Sequence, residues 1–171
     1  MHARHAVSSL LPSFDGRRNL VRDAWDHLHA LPGGRRIFSH LVGLAAPYTG
    51  SMGAQVVELR RGHATVKLPD RRAVRNHLES IHAVALANLA ELTGNVAVAY
   101  SLPDDARFIV GGISIEYKKK ARGTIVGISD VAVPEGSERR EIEVPVSMRD
   151  EAGVEVATAT LRTLIGPKKW A

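Results

Sequence analysis

Apolar and polar residues recur with two different periods along this chain, and the change of period divides it. In residues 17–31 and again in residues 37–45, apolar side chains return every three to four positions, which predicts two short helices. From residue 54 onward the dominant period is two, which is typical of strands. Proline and glycine residues follow both helical segments. We therefore predict a tail and helical cap over residues 1–46 and a second domain over residues 47–171.

The second predicted domain combines several strands with one long helix. A hairpin is expected near residues 54–59 and 64–68, and residues 80–101 form the longest apolar helical stretch. Four strand-like runs follow, separated by the turn segments KKKAR, PEGSER and RDEAG: Phe108–Tyr117, Gly123–Val133, Glu141–Met148 and Val154–Ile165. Because short loops between the last four strands demand antiparallel pairing, we predict an α+β fold of about six strands around one helix.

The long predicted helix contains a single carboxylate, Glu91, in an otherwise uncharged stretch between Glu79 and Asp104. Apolar residues occupy two stripes of this helix, which indicates burial on more than one side. Small residues, which let a sheet approach closely, make up the second stripe: Ala83, Ala87, Ala90, Gly94 and Ala97. The third stripe, Asn88, Glu91 and Asn95, either faces water or lines a cleft in which Glu91 acts as a general base.

The spacing between His82 and Glu91 restricts how these two residues can cooperate. Nine residues of α-helix correspond to a rise of about 13–14 Å and half a turn of rotation, so the two side chains cannot converge within one helix. A joint site therefore requires a two-fold partner that brings its own helix start next to Glu91.

Composition excludes several classes of protein. The 171 residues include no cysteine, which removes disulfides and thiolate metal sites and favours a cytoplasmic location. The net charge of +5 permits anionic partners, but aromatic residues make up only 5% and no nucleic-acid-binding motif is recognised, so nucleic acid is not expected. The histidines lack ligand spacing, so no metal is expected. The long uncharged run holds Glu91 and many alanines, which argues against a membrane span.

A family resemblance adds to this interpretation. The run N76-H-L-E-S-I-H82-A-V-A-L-A-N-L-A-E91 resembles the central signature of the PaaI-like hotdog-fold acyl-CoA thioesterases. In that signature an Asn is followed six residues later by a His and nine residues after that by a carboxylate. The wider stretch from PYTGSMG to AELTG is similar to an uncharacterised branch of the hotdog superfamily. The resemblance covers roughly residues 47–165.

The resemblance implies a hotdog fold, in which an antiparallel sheet wraps a long central helix and two subunits pair their sheets side by side. It implies a homodimer or a tetramer, with Glu91 as base or nucleophile and the Ala83 amide of the other chain as oxyanion donor. Asn76 would hold water or the loop, and His82 would orient the helix start or contact the thioester. Two departures are the Ala83-Val84 pair in place of Gly-Gly, and Glu in place of the usual Asp.

The implied substrate is an acyl-CoA or a related acyl thioester, and no cofactor is implied beyond the coenzyme A of the substrate. Val84 and Asn88 are the expected lining of the substrate pocket. A basic turn follows the third strand, and it either meets the coenzyme A phosphates or guards a sheet edge: Lys118, Lys119, Lys120 and Arg122. The alternative function is a hotdog protein that binds an acyl or coenzyme A ligand without turnover.

Overall fold

The structure, a computed structural model, describes residues 18–132 and 135–168. Within these residues the chain forms four α-helices and six β-strands: α1 (Leu20–Leu28), α2 (Gly34–Ala45), α3 (Pro47–Ser51), β1 (Gln55–Arg60), β2 (His63–Leu68), α4 (Ala83–Ser101), β3 (Ala106–Tyr117), β4 (Ile125–Asp130), β5 (Arg140–Arg149) and β6 (Glu155–Pro167). The predicted tail at residues 1–17, the last predicted position of β4 at Val133 and residues 169–171 lie outside the described residues.

The six strands form one antiparallel sheet in the order β1-β2-β4-β5-β6-β3. The two edges of the sheet are therefore β1 and β3. In β3 the register with β6 shifts between Val110 and Gly112, and such a bulge bends the strand locally. Alternate residues of β3 face α4 because side chains in a strand alternate between the two faces.

Helix α4 lies against the inner face of this sheet through small residues. Ala90 and Ala97 are fully buried, and a Cβ added to Gly94 would lie 2.4 Å from Leu161 Cδ1. Close approach of helix and sheet is therefore possible only with a small residue at position 94. The predicted α+β hotdog arrangement is confirmed, although Ala83 and Ala87, at the start of the small-residue stripe, stay at least partly exposed.

The N-terminal helices cover the other side of α4. The Asn19 side chain caps α1 by accepting a hydrogen bond from the Arg22 amide, and its Nδ2 donates to Ala99 O at 2.7 Å. Trp25 and Phe38 are buried and pack edge to face, with ring centroids 5.1 Å apart. These contacts dock α1 and α2 onto the core.

Helix α4 is long and apolar enough to cross a membrane when judged by length and composition alone. Just over half of it is buried between the sheet and the N-terminal helices. It is the core helix of this fold.

Candidate functional site

The start of α4 presents an unpaired backbone amide. His82 caps the helix, with Nδ1 accepting a hydrogen bond from the Val84 amide at 3.1 Å. The amide of Ala83, the first residue of the helix, has no acceptor within residues 18–132 and 135–168. A helix start carries partial positive charge, so this exposed amide is a donor available to an anionic or polarised oxygen.

The loop before α4 is ordered by Asn76. Its Oδ1 accepts hydrogen bonds from the Leu78 amide at 2.9 Å and from Ser80 Oγ at 3.1 Å. The next residues are tied to other segments, because the Ile81 amide donates to Ala121 O and the His82 amide donates to Val74 O, both at 2.8 Å. Asn76 therefore organises the loop that sets the position of the helix start.

Tyr117, the last residue of β3, touches the first residue of α4. Its hydroxyl donates a hydrogen bond to Ala83 O at 3.1 Å. Desolvation raises the pKa of Tyr117 above its ordinary value of 10.0, so the phenol keeps its proton at neutral pH and remains a donor. This contact fixes the end of the edge strand beside the helix start, and sequence reasoning did not assign it.

Glu91 lies on the open face of α4. Val84 and Glu91 are seven residues apart and share one helix face with Ala87 between them. Val84 is 51% exposed, and Glu91 is exposed with no hydrogen bond or ion pair among the described residues. Ile113 on the neighbouring edge strand is also exposed. The face therefore combines apolar side chains with one unpartnered carboxylate.

One chain does not bring Glu91 and Ala83 together. Eight residues of helix separate them, which corresponds to about 12 Å of rise. Strand β3 returns antiparallel to α4, because a short turn joins the end of α4 to Ala106 while Tyr117 contacts Ala83. Glu91 is therefore level with Ile113, about four residues before Tyr117, and well away from its own helix start.

The two asparagines predicted to share the stripe of Glu91 occupy different surroundings. Asn88 is buried, and its Oδ1 accepts a hydrogen bond from Thr49 Oγ1 of α3 at 3.0 Å. Asn95 is partly buried, and its Oδ1 has no hydrogen-bond partner within the described ranges. The short helix α3, which periodicity did not predict, thus separates Asn88 from the open face.

The four basic residues of the turn after β3 differ in their contacts. Lys118 forms an ion pair with Glu155 at 2.5 Å, which raises the pKa of Lys118 and lowers the pKa of Glu155. Lys119, Lys120 and Arg122 are exposed and form no ion pair in the part of the chain that the structure describes. Lys118 therefore ties β3 to β6, whereas the other three cations are available to an anion.

His63 lies outside this region and has its own polar partners. Its Nδ1 lies 2.7 Å from Asp130 Oδ1, and its Nε2 lies 3.0 Å from Thr65 Oγ1. In residues 18–132 and 135–168, no group of three or more histidine, aspartate or glutamate side chains has an arrangement that could hold a metal ion.

Two cavities of the chain, of about 760 and 580 Å³, are lined by residues other than Glu91. The second lies between α2, α3 and β1, next to Leu92. Around Glu91 the surface of the single chain is open. An enclosed site there needs a second molecule to form its opposite wall.

Comparison with known proteins identifies the family. The profile described as "Domain of unknown function (DUF4442)" matches residues 34–165, and a structural-genomics protein of solved structure is 31% identical, with a TM-score of 0.75 over 86% of this chain and 98% of that one. This chain therefore belongs to the DUF4442 family. No match was found among curated proteins.

More distant solved structures share the fold. A Pseudomonas aeruginosa protein of unknown function, described as a probable thioesterase, is 21% identical, with a TM-score of 0.71 over 80% of this chain and 97% of that one. A thioesterase from Haemophilus influenzae is 13% identical, with a TM-score of 0.63 over 72% of this chain and 85% of that one. These similarities show that the hotdog fold of this chain is also the fold of proteins named as thioesterases.

Proposed function

We propose that this protein hydrolyses an acyl-CoA or a related acyl thioester at a site shared between two subunits. One observation carries the proposal: an unpaired amide at the start of α4 and a lone exposed carboxylate lie on the same helix, about 12 Å apart. Neither group has a partner within the described residues. The names of the structurally similar thioesterases support the reaction class.

The chemistry assigned to the two groups is complementary. The Ala83 amide of one subunit polarises the thioester carbonyl and stabilises the oxyanion that forms during attack. Glu91 of the other subunit removes a proton from water as it adds to the carbonyl carbon, or attacks that carbon directly to form an anhydride that water then opens. The carbon–sulfur bond breaks, the coenzyme A thiolate takes a proton, and the acyl group leaves as a carboxylate.

A two-fold axis beside Ala87 satisfies the spacing. Ala83 and Glu91 lie four residues on either side of Ala87, so an axis at this level places Ala83 of each helix level with Glu91 of the other. The small side chain of Ala87 lets two antiparallel helices approach closely at the axis. On the sheet, this level corresponds to Ile115, about two residues before Tyr117.

Edge strand β3 provides the surface for such a pairing. Its outer edge has no neighbouring strand within residues 18–132 and 135–168, and an unpaired strand edge is a template for pairing with another chain. Ile113 and Tyr117, exposed by 45% and 46%, lie beside this edge. Pairing of β3 with the same strand of a second copy would cover both side chains and enclose Glu91.

The remaining predicted residues take supporting parts in this proposal. Asn76 and His82 position the helix start through the loop and the cap that they hold. Val84 lines the substrate pocket, while Lys119 and Lys120 meet the coenzyme A phosphates. Asn88, buried under α3, supports the wall of the pocket.

Hydrolysis is tested by following coenzyme A release with a thiol reagent, across short-chain, long-chain and aryl acyl-CoA substrates. The protein has no cysteine, so its own side chains give no background. Turnover of at least one substrate is expected. Saturable acyl-CoA binding with no release would instead support the ligand-binding alternative, which is favoured by the exposed Val84 side chain at a position where the PaaI-like signature has a glycine.

The shared site is tested by mixing two inactive variants, Glu91→Gln and Ala83→Pro. Proline is well tolerated at the first position of a helix, where it removes only the amide hydrogen, and His82 already has the extended backbone that precedes proline (φ −63°, ψ 140°). In a heterodimer one of the two sites keeps both intact groups, so an equal mixture should recover about a quarter of wild-type activity. No recovery after exchange of subunits would contradict the shared site.

A further inference from the structure

A groove of about 760 Å³ lies at the end of α4 opposite Ala83. Its walls come from the start of α1, the end of α4 and the paired ends of β3 and β6. Leu20, Val21, Leu102, Phe108 and Ile165 line it on the side of α4. Ile109 and Leu164, exposed by 66% and 41%, form an apolar floor on the outer face of the sheet. The volume falls in the range of small-molecule sites, and the proposed hydrolysis makes no use of the groove.

Five basic side chains line the groove: Arg18, Arg107, Arg139, Arg140 and Lys168. Arg18 pairs with Asp23 at 3.1 Å, Arg140 pairs with Glu138 at 3.4 Å, and Lys168 Nζ donates a hydrogen bond to Arg18 O at 3.4 Å. The Asp105 carboxylate, on the same end of the molecule, accepts a hydrogen bond from Ser137 Oγ at 2.7 Å. Cations therefore outnumber carboxylates around the groove.

Arg107 and Arg139 lie on either side of Gly166. Arg107 is the cross-strand neighbour of Gly166, and Arg139 Cγ lies 3.6 Å from the position that a Cβ on Gly166 would occupy. Neither arginine forms an ion pair or a side-chain hydrogen bond within residues 18–132 and 135–168. Because Gly166 has no side chain, the space between the two arginines is open.

Two guanidinium groups beside an open space fit an anion. Guanidinium binds carboxylates and phosphates through paired hydrogen bonds, and two neighbouring like charges repel each other until an anion lies between them. The apolar floor next to them suits an aliphatic body better than the polar ribose and phosphates of a nucleotide.

We propose that this groove binds an anionic amphiphile, an aliphatic chain that ends in a carboxylate or a phosphate monoester. The anionic head lies between Arg107 and Arg139 over Gly166, and the chain lies along Ile109 and Leu164 on the same face of the sheet. The site is complete within one chain, so this binding is independent of thioester hydrolysis and of the dimer.

The full-length protein is titrated by calorimetry with octanoate and with octyl phosphate. 1-Octanol controls for the chain without a head, and inorganic phosphate controls for the head without a chain. At least one anionic amphiphile should bind saturably and at least tenfold more tightly than either control. The tighter of the two amphiphiles identifies the head group.

Two variants test the arginine pair in different ways. Arg107→Gln combined with Arg139→Gln removes both guanidinium groups, and Gly166→Val fills the space between them while keeping the charges. The Gly166 change meets only an ordinary van der Waals contact and places a β-branched residue in a strand, so folding should be retained. Each variant should bind at least tenfold more weakly. A control with the same loss of charge, Arg61→Gln with Arg72→Gln, should bind as wild type does.

Four results would overturn the proposal. Equal affinity for 1-octanol and for the two anions would show that the anionic head is not recognised. Unchanged affinity in the double arginine variant would show that Arg107 and Arg139 do not bind the head. No saturable binding of either anion to the full chain would leave the groove to another occupant, such as residues 1–17 or a second copy. Glu91→Gln should bind as wild type does, because loss of binding in that variant would place the anion at the proposed thioester site instead.

Discussion

The two ends of α4 differ in how much of a site a single chain supplies. In the first half of α4, the Ala83 amide and Glu91 both lack a partner among the described residues, yet they lie too far apart on one helix to act on the same atom. At the other end, Arg107, Arg139 and an apolar floor surround one groove. In the two proposals, the first end therefore needs a second subunit for its chemistry, whereas the second end binds its ligand within one chain.

This difference has a physical origin in the sheet. At the start of α4, the neighbouring element is the edge strand β3, which has no further strand beyond it. At the end of α4, the turn into β3 brings α1, β3 and β6 together, so side chains from several segments surround one space. An open strand edge therefore favours a site shared between two copies of the chain, whereas a junction of several elements favours a site within one chain.

The largest expected effect is the loss of hydrolysis in Glu91→Gln, because only the first of the two sites is proposed to be catalytic. Glu91→Gln removes the carboxylate but keeps its size, and loss of a general base lowers rates by about 10²–10⁴-fold. We expect a fall of this order in kcat/KM for acyl-CoA hydrolysis, measured as coenzyme A release. Octanoate affinity should stay at the wild-type value. Hydrolysis by Glu91→Gln at the wild-type rate would contradict the assignment of Glu91 as the catalytic carboxylate.

The next effect tests the need for a second subunit. Ala87→Arg places a long cation where two antiparallel helices are proposed to meet, so the dimer should dissociate. We expect a monomeric mass by analytical ultracentrifugation and a loss of at least about tenfold in activity, because each site then lacks its oxyanion donor. The matched control Arg72→Ala, on an exposed turn, should remain dimeric. A fully active monomer would contradict the shared site.

A smaller effect concerns the contact that fixes the helix start. Tyr117→Phe removes the hydrogen bond to Ala83 O, which is worth about 0.5–1.5 kcal/mol in stability. We expect a lower Tm by a few degrees, and a several-fold loss in kcat with a smaller change in KM. The readout that decides is kcat, because a purely structural contact would change the Tm alone.

The smallest effect is a pH dependence at the loop before α4. The Asp70 carboxylate accepts hydrogen bonds from Arg75 Nε at 2.6 Å and from the Gly123 amide at 3.2 Å. The hydrogen bond from Arg75 is the main cause that lowers the pKa of Asp70 below its ordinary value of 3.8. A carboxylate whose pKa is lowered by folding stabilises the protein above its unfolded pKa, and this stabilisation is lost as pH falls through the folded pKa.

Comparison of the wild type with the Asp70→Asn variant isolates the contribution of the Asp70 carboxylate to stability. The wild type should have a higher Tm by about 2–4 °C near neutral pH. The difference should stay constant down to about pH 5 and shrink below pH 4, where the carboxylate takes up its proton. A difference that persists unchanged to about pH 2 would show that the Asp70 charge is not its cause.

Much of the fold followed from local patterns. The period-two runs predicted six strands, and each of them is present with bounds that differ by a few residues. The apolar stretch predicted at residues 80–101 is α4, although the helix begins at Ala83 because His82 caps it. The short helix α3 was missed because PYTGS is rich in turn-forming residues and its helix is only five residues long.

The candidate site was less accessible to sequence reasoning. Glu91 stood out because a charge in an apolar helix is unusual, and its exposed position was one of two alternatives left open by periodicity. The burial of Asn88 depends on its hydrogen bond with Thr49, which lies 39 residues away in the sequence. The contact of Tyr117 with Ala83 joins residues 34 positions apart. Such pairs leave no periodic signal in the chain.

The amino-acid sequence by itself determined the type and order of the elements other than α3, the isolation of Glu91 and the spacing that prevents it from meeting its own helix start. These properties depend on near neighbours, whose geometry follows from the rise and rotation of a helix or strand. Only the tertiary structure decided the strand order, the open edge of β3 and the meeting of Arg107, Arg139 and Gly166. Those features arise when distant segments pack together, because the shape of a groove depends on which surfaces the folded chain brings side by side.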